Sequence, residues 1–545
     1  MSEITVYTAR RIITMDESLP EATAIAVRGE RIVEVGTLES LQPWLRHHDH
    51  TIDERFADQV MIAGLIDPHI HPSLMAILLN CDWIPPEPWD LVDGRVEAAV
   101  GKDDFLARVA ALHADRPAGE PLVIFGYHAQ YHGWIERPDL DAISTDRPIV
   151  LWQRSFHELR ANSPGLVWLD AEEGAAWDPH IELESGRMYE SGMVWGLRTL
   201  NPHLLGGTRY ADALADVRTL IQRGGITTMC DAGFGIGGYD QDYDTYDNVL
   251  GSTDTPFRTY LMPQIAGARG RWKTDTIDQL ERWTAERGSE RISFIRAAKI
   301  LADGAFIAQL MVLGEPGYID GHEGAWLTEP DRLVHTIRPF WEAGYDLHIH
   351  CNGDVGVGAS LDAVEALLHA HPRFDHRTTL HHFGISTQAQ MRRIRALGVE
   401  ISANGYYLYQ FGDRFGDEWL GTERAAQMTR LGAAERAGVS VSLHSDLPMG
   451  PAAPLLAAQA CATRRTRGGV VMGEAERLSL DAALRSITID AAYQLRLDHE
   501  IGSLAAGKLA DITVLGADPH EVGAEGLADV AVLGTIVGGR VFDPG

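Results

Sequence analysis

Gly64-Leu65-Ile66-Asp67-Pro68-His69-Ile70-His71-Pro72 ends a short apolar run with two histidines at alternate positions. In extended chain, residues i and i+2 project to the same face about 6.5 Å apart at Cα, within reach of one ion; on a helix they would diverge. Imidazole is a favoured ligand of Zn2+. A bare His-x-His pair is commonly incidental. This one closes a predicted strand between Gly-Leu-Ile-Asp and Pro, and that setting makes it a candidate metal pair.

Outward from this stretch the chain alternates short apolar runs with amphipathic segments, the pattern of a parallel α/β fold. Strands are predicted from Met61 to Ile66, Ile226 to Cys230, Arg258 to Met262, Phe294 to Ile300, Asp346 to Ile349, Thr378 to His381, Glu400 to Ala403 and Val439 to Leu443. Eight strands closed by helices predict a (β/α)8 TIM barrel over residues 61–495, whose reactive groups come from the C-terminal strand ends and the loops after them. Seven of the eight runs follow Gly225, so the stretch between the first and second exceeds a normal crossover helix. Residues 75–210 are expected to form an inserted cap at the barrel mouth.

Both ends of the chain read differently. ITVYTARRIITMD and TAIAVRGERIVEVG alternate apolar and polar residues around a turn at Arg28-Gly29-Glu30, an antiparallel hairpin pattern. GSLAAGKLADITVLGADP and VAVLGTIVGGRVFDPG give further short β-rich runs broken by Gly, Asp and Pro. Residues 1–60 and 496–545 are therefore expected to fold together as a small β-sandwich. In the 545-residue chain, 77 Asp and Glu against 47 Lys and Arg leave a formal charge of −30, which argues against nucleic acid or anionic lipid as a partner. The four scattered cysteines form no CxxC spacing, and the start offers no secretory h-region. A cytoplasmic location with no membrane association is expected, and a homodimer is the default for such a protein.

Polar residues recur where other predicted strands end. Lys299 closes FIRAAK ahead of Asp303-Gly304, His348 and His350 lie in LHIHCNGD, His381 and His382 end TTLHH, and Asp446 follows VSLHS. Any one of these has a bland reading as hydrogen-bonded filler or a surface charge. Together they would converge on one pocket, because barrel strand ends do. The set resembles the amidohydrolase superfamily, and AKILADGAF, HIHCNGDVG, TLHHFG and GSLAAGKLADITVL resemble its YtcJ-like branch, which includes N-substituted formamide deformylases.

That resemblance spans nearly the whole chain and implies His69, His71, Lys299, His350, His382 and Asp446 as metal ligands, with His348 packing or supporting. His381 competes with His382, because a one-residue slip turns a strand side chain to the other face. The family's small-residue phrase before a substrate-binding His is replaced here by Ser155-Phe156-His157-Glu158, which leaves His157 as a donor to the substrate carbonyl. The implied reaction is attack of a metal-bound hydroxide on an amide or formamide-like C–N bond of a small molecule, with Asp446 moving the proton. Lys299, if carboxylated, would bridge two Zn2+ ions; as plain lysine it leaves one ion on His69, His71, His350 and Asp446. Cyclic-amide hydrolysis or deamination on the same scaffold is the alternative, and a non-catalytic binding protein the remote one. Trp83, Trp89, Tyr127, Tyr131, Trp134 and Trp152 in the insertion, with Tyr406, Tyr407 and Tyr409, are candidate contacts for an apolar or aromatic substrate group. Arg464 and Arg465 are candidates for a substrate carboxylate.

Overall fold

Gly64 separates two sheets. A Cβ there would lie 2.0 Å from Thr227 Oγ1, so only glycine lets the chain pass this closely. Before it, Val60–Ala63 belongs to a sheet built from both termini; after it, β1 (Leu65–Ile70) begins a parallel sheet. The first predicted strand, Met61 to Ile66, thus joins pieces of two strands, and the apolar residues on both sides of Gly64 concealed the change of sheet. The structure is a computed structural model that describes residues 3–235 and 238–545.

The parallel strands fall in two sets. β1 pairs with β2 (Ile226–Phe234), which pairs with β3 (Arg258–Pro263) and then β4 (Ile292–Phe294). β5 (Ala297–Leu301), β6 (Asp346–Cys351), β7 (Thr379–His382), β8 (Glu400–Asn404) and β9 (Val441–His444) form the second set, each paired with the next. The run from Phe294 to Ile300, expected as one strand, is therefore split between the two sets. No Gly or Pro marks the break at Ile295-Arg296; Arg296 lends its carbonyl to Asp346 N at 3.0 Å while its guanidinium reaches Glu281 at 2.7 Å.

Both seams between the sets are bridged. At one, Asp446 N donates to His69 O and His71 N to Leu447 O, each at 3.0 Å. At the other, Gln264 and Lys299 form a parallel bridge. Every residue of β1, β2, β6, β7 and β9 is buried, as expected of parallel strands covered on both faces.

The terminal strands are joined by hydrogen bonds into one continuous sheet. Its order runs 540–542, 532–537, 512–515, 60–63, 4–13, 21–28 and 31–36, with 50–53 beside the first half of 4–13. Ile4–Ile13 is long enough to pair with His50–Asp53 through Ile4 to Tyr7 and with Val60–Ala63 through Arg11 to Ile13, which joins the two halves. Ile12, Ile25, Met61, Ile512, Val514 and Ile536 share one buried apolar cluster.

Cα packing divides the chain into two compact units, Met1–His71 with Arg218–Gly545, and Pro72–Val217. The second has a core of its own. Its sheet runs 181–182, 187–189, 158–161, 149–153, 122–127 and 82–83. Leu122 to Phe125 alternate between two clusters, Val123 and Phe125 on one face, Leu122 and Ile124 on the other, and a register shift between Phe125 and Tyr127 brings Tyr127 to the second. Among the described residues, no helix is long and apolar enough to cross a membrane.

Candidate metal centre

His69 and His71 lie where β1 ends, and their side chains do share a side: Nε2 of one is 3.1 Å from Nε2 of the other. Asp446 completes the group, its Oδ1 3.3 Å from His69 Nε2 and 3.2 Å from His71 Nε2. The backbone bonds across the β9–β1 seam set this meeting, and Asp446 takes a left-handed φ of 54° to achieve it. Asp67 fixes the same corner by accepting from Ser445 N, Ser445 Oγ and His69 N. Burial pushes Asp67 up to about 7 against those hydrogen bonds.

On its other side His71 faces Asp231, with 3.3 Å between Nδ1 and Oδ1, and Asp231 accepts from Tyr246 Oη at 2.9 Å and Gly233 N at 3.1 Å. A carboxylate on the far nitrogen of an imidazole orients the ring and fixes its tautomer. Burial disfavours a charged His71, but Asp231 and Asp446 outweigh it and raise the ring to about 9. Asp231 was not singled out from the sequence, although it immediately follows the predicted Ile226 to Cys230 strand.

Beneath His69 the nitrogens crowd. Lys299 Nζ is 2.7 Å from His381 Nδ1 and 3.4 Å from His69 Nδ1; those two Nδ1 atoms are 2.6 Å apart. His381 Nε2 lies 2.7 Å from His348 Nδ1. Burial lowers Lys299 to about 7, which brings the neutral amine within reach of neutral pH. Burial, then Lys299, holds His69, His381 and His444 well below the ordinary imidazole range, and burial takes His348 to about 3.

The choice between His381 and His382 dissolves in the structure. His382 and Phe383 take left-handed φ values of 71° and 53°, which breaks the strand alternation, and both imidazoles reach His69, with ring centroids 4.5 Å and 4.8 Å away. His382 Nδ1 is 3.5 Å from Asp446 Oδ2 and 3.3 Å from Tyr407 Oη, whose ring stacks on Phe306 at 4.1 Å. His350 packs on His382 at 4.3 Å, while its Nε2 faces Asn352 Nδ2 at 3.0 Å. Asp303 holds that loop by accepting from the backbone N–H of Val312, Asn352 and Gly353. His444, not singled out from the sequence, stacks on His69 at 4.4 Å.

Among the described residues two donor groups emerge, His69 with His71 and Asp446, and His69 with His382 and His444; within each, one ligand atom per residue lies within 4.8 Å of the others. The donors are imidazole nitrogens and a carboxylate, the set that Zn2+ and its neighbours prefer. Among the described residues, neither ring nitrogen of buried His444 makes a hydrogen bond of normal geometry, and only the Ser402 backbone acts on the ring in that way. A buried polar atom left so is costly, and a cation among these lone pairs would satisfy it.

Most of the other sequence candidates have local partners; the indole nitrogen of buried Trp152 makes no hydrogen bond among the described residues. His157 lies in the Pro72–Val217 unit, where its Nδ1 faces Glu190 at 3.2 Å. Trp89, Tyr127 and Trp152 are buried there, and half-buried Trp83 donates to Leu78 O at 2.9 Å. Trp89 donates to Glu87 at 3.2 Å, and Tyr127 Oη donates to Gly133 O at 3.0 Å. Buried Tyr406 donates to Ala453 O at 2.7 Å. Arg464 is not available to a substrate carboxylate: it is 1% exposed and spends its guanidinium on the carbonyls of Met472, Met428, Thr429 and Ala426. Arg465 pairs with Glu525 at 3.2 Å on the surface.

A family model described as "Amidohydrolase family" matches residues 57–543. Protein LONG AFTER FAR-RED 3 of Arabidopsis thaliana is 25% identical over 560 residues, covering 98% of this chain and 90% of that protein. The N-substituted formamide deformylase of Arthrobacter pascens is 25% identical over 540 residues, covering 96% of each. An uncharacterized metal-dependent hydrolase from Pyrococcus horikoshii, solved as a crystal structure, matches with a TM-score of 0.74 at 19% identity, covering 96% of this chain and 99% of that one.

Proposed function

The chain belongs to the amidohydrolase family, and we propose that it is a metal-dependent hydrolase acting on a C–N bond of an amide or formamide-like small molecule. The carrying observation is the meeting of His69, His71 and Asp446 within 3.3 Å at one strand-end corner, beside further buried imidazoles. The two parallel sets, bridged at both seams, support a closed (β/α)8 barrel whose fourth strand is split into β4 and β5.

His69, His71 and Asp446 would hold one ion, with His350 and His382 on the side toward a second. A bound divalent ion, most simply Zn2+, supplies Lewis acidity and acidifies water from a pKa near 16 toward about 7. Lys299 meets two imidazole nitrogens and is shifted toward its neutral amine, the form that takes up carbon dioxide as a carbamate. The carbamate would turn a cation into an anionic oxygen ligand. Asp446 would take the proton of the attacking water and return it to the departing nitrogen. Asp231 and Tyr246 hold His71 in orientation. His157 enters as the donor to the substrate carbonyl through the family resemblance alone. The formamide-like substrate rests on the Arthrobacter pascens relative.

The test is a screen of zinc-reconstituted protein against formamides, anilides, N-acyl amino acids and cyclic amides, scoring released amine. Metal-dependent amine release from formamides is expected. Ammonia release from aminated heterocycles alone would replace this reading with deamination, and protein that binds no transition metal would remove it.

A further inference from the structure

The family resemblance accounts for one residue of β9 and its loop as a ligand, Asp446. It does not account for His444, two residues earlier. A histidine at a buried strand end normally bonds to a carbonyl, a hydroxyl or a carboxylate. His444 is 1% exposed and, among the described residues, neither ring nitrogen makes a hydrogen bond of normal geometry, although the Ser402 backbone lies close enough to favour the charged ring. Its surroundings are imidazoles: His69 stacked at 4.4 Å, His382 edge-on at 5.1 Å and His381 at 5.9 Å. His69 and His382 are themselves 1% and 2% exposed, and the three residues can bring one nitrogen each within 4.8 Å of the others.

We propose that His444, His69 and His382 form a three-imidazole site for a divalent transition-metal ion, adjoining the His69, His71 and Asp446 corner. His69 belongs to both groups, and its two nitrogens face different neighbours: Nε2 lies toward His71 and Asp446, Nδ1 toward His381 and Lys299. A three-nitrogen set of neutral imidazoles selects borderline ions such as Zn2+, Co2+ or Ni2+ over Mg2+ or Ca2+, which prefer oxygen. Tyr407 Oη, 3.3 Å from His382 Nδ1, fixes that ring from outside the group. His444 thereby becomes a ligand beside His382, which already faces the side of a second ion.

This inference rests on the reading of the strand ends as a metal centre, and the experiment separates the two. Metal-stripped full-length protein is titrated with Co2+, following the visible absorption of the bound ion and the number of ions per chain. The wild-type protein is compared with His444→Phe, which keeps a ring in the stack, His444→Gln and His71→Ala. Both His444 variants are expected to lose at least about 100-fold in affinity for one Co2+ and to lose its absorption bands, since removing a ligand exceeds the 10–100-fold cost of altering a ligand's support. His71→Ala should retain those bands. If His444→Phe does not fold, His444→Gln is read alone. Wild-type stoichiometry, affinity and spectrum in a folded His444 variant overturn the inference and leave the metal centre standing. No Co2+ bound by wild-type protein overturns both.

Discussion

The strand-end cluster and the inserted unit both bury polar side chains, and they differ in what those groups meet. In the insertion, several buried groups meet opposites, although Trp152 Nε1 and Asn201 Oδ1 make no hydrogen bond among the described residues. Arg154 places Nε 2.8 Å from the Glu87 carboxylate with its guanidinium over the Trp89 ring, and Tyr127 Oη both donates to Gly133 O and accepts from Ile135 N. At the strand ends, like meets like: imidazole faces imidazole at 2.6, 2.7 and 3.1 Å, and a lysine amine points at two of them. Burial alone therefore says little about function. Complementarity marks a group folded for stability, and a surplus of lone pairs marks one waiting for a cation.

The largest effect that would break this contrast is at Asp446. Asp446→Asn keeps the shape and removes the charge and the proton acceptor, so turnover should fall about 1,000-fold, within the usual range for a positioned acid–base group. The unfolding midpoint should stay near wild type. Turnover within tenfold of wild type would take the proton-transfer role away from Asp446. Lys299→Ala should reduce bound metal and activity together, and bicarbonate should aid reconstitution of the wild-type protein but not of the variant. Elemental analysis with and without bicarbonate checks this; an alanine variant with full metal and full activity removes the carbamate.

Acid sharpens the comparison further. His69, His381, His382 and His444 are held below the ordinary range by burial, and His348 is lowered to about 3. As pH falls below about 6.5, the unfolded chain binds protons that the folded cluster refuses, and each such histidine costs about 1.4 kcal/mol per pH unit. His71 works the other way: raised to about 9, it stabilises fully below about 6.5 and loses that contribution as pH rises through 9. Lys299, lowered to about 7, offsets this by gaining stability over much of the same alkaline window. Metal-free protein should thus lose thermal stability steeply between pH 6.5 and 5, and His348→Leu should flatten the slope. An unchanged slope in that variant would mean His348 is protonated in the folded state.

Much of this was legible in the sequence because chemistry sits where periodicity ends. His69, His71, Lys299, His350, His382 and Asp446 lie at or just beyond the ends of apolar runs, and strands lie within a few residues of the predicted runs, two of which are split, at Gly64 and at Ile295-Arg296. What escaped is instructive. His444 and Asp231 lie inside or against apolar runs, where a single polar residue reads as packing. The alternation rule separated His381 from His382, and two consecutive left-handed residues at His382 and Phe383 cancelled it. The break between Phe294 and Ala297 carries no Gly or Pro, only Arg296, and the change of sheet at Gly64 lies between apolar residues buried on both sides of it.

The smallest effect tests the other half of the comparison. Tyr127 is fully buried in the insertion, and its Oη joins Gly133 O at 3.0 Å to Ile135 N at 3.2 Å. Tyr127→Phe keeps the ring packed beside Phe105, 5.8 Å away, and Arg160, 5.6 Å from its centroid. It leaves one carbonyl and one N–H without that partner, so it should cost about 1–3 kcal/mol of stability, seen as a lower unfolding midpoint. Because these bonds complement each other inside the insertion, turnover should stay within about twofold and bound metal should be unchanged. A large fall in turnover with the midpoint unmoved would place the Tyr127 hydroxyl among the substrate contacts. The insertion's buried polar groups would then have to be read like those at the strand ends.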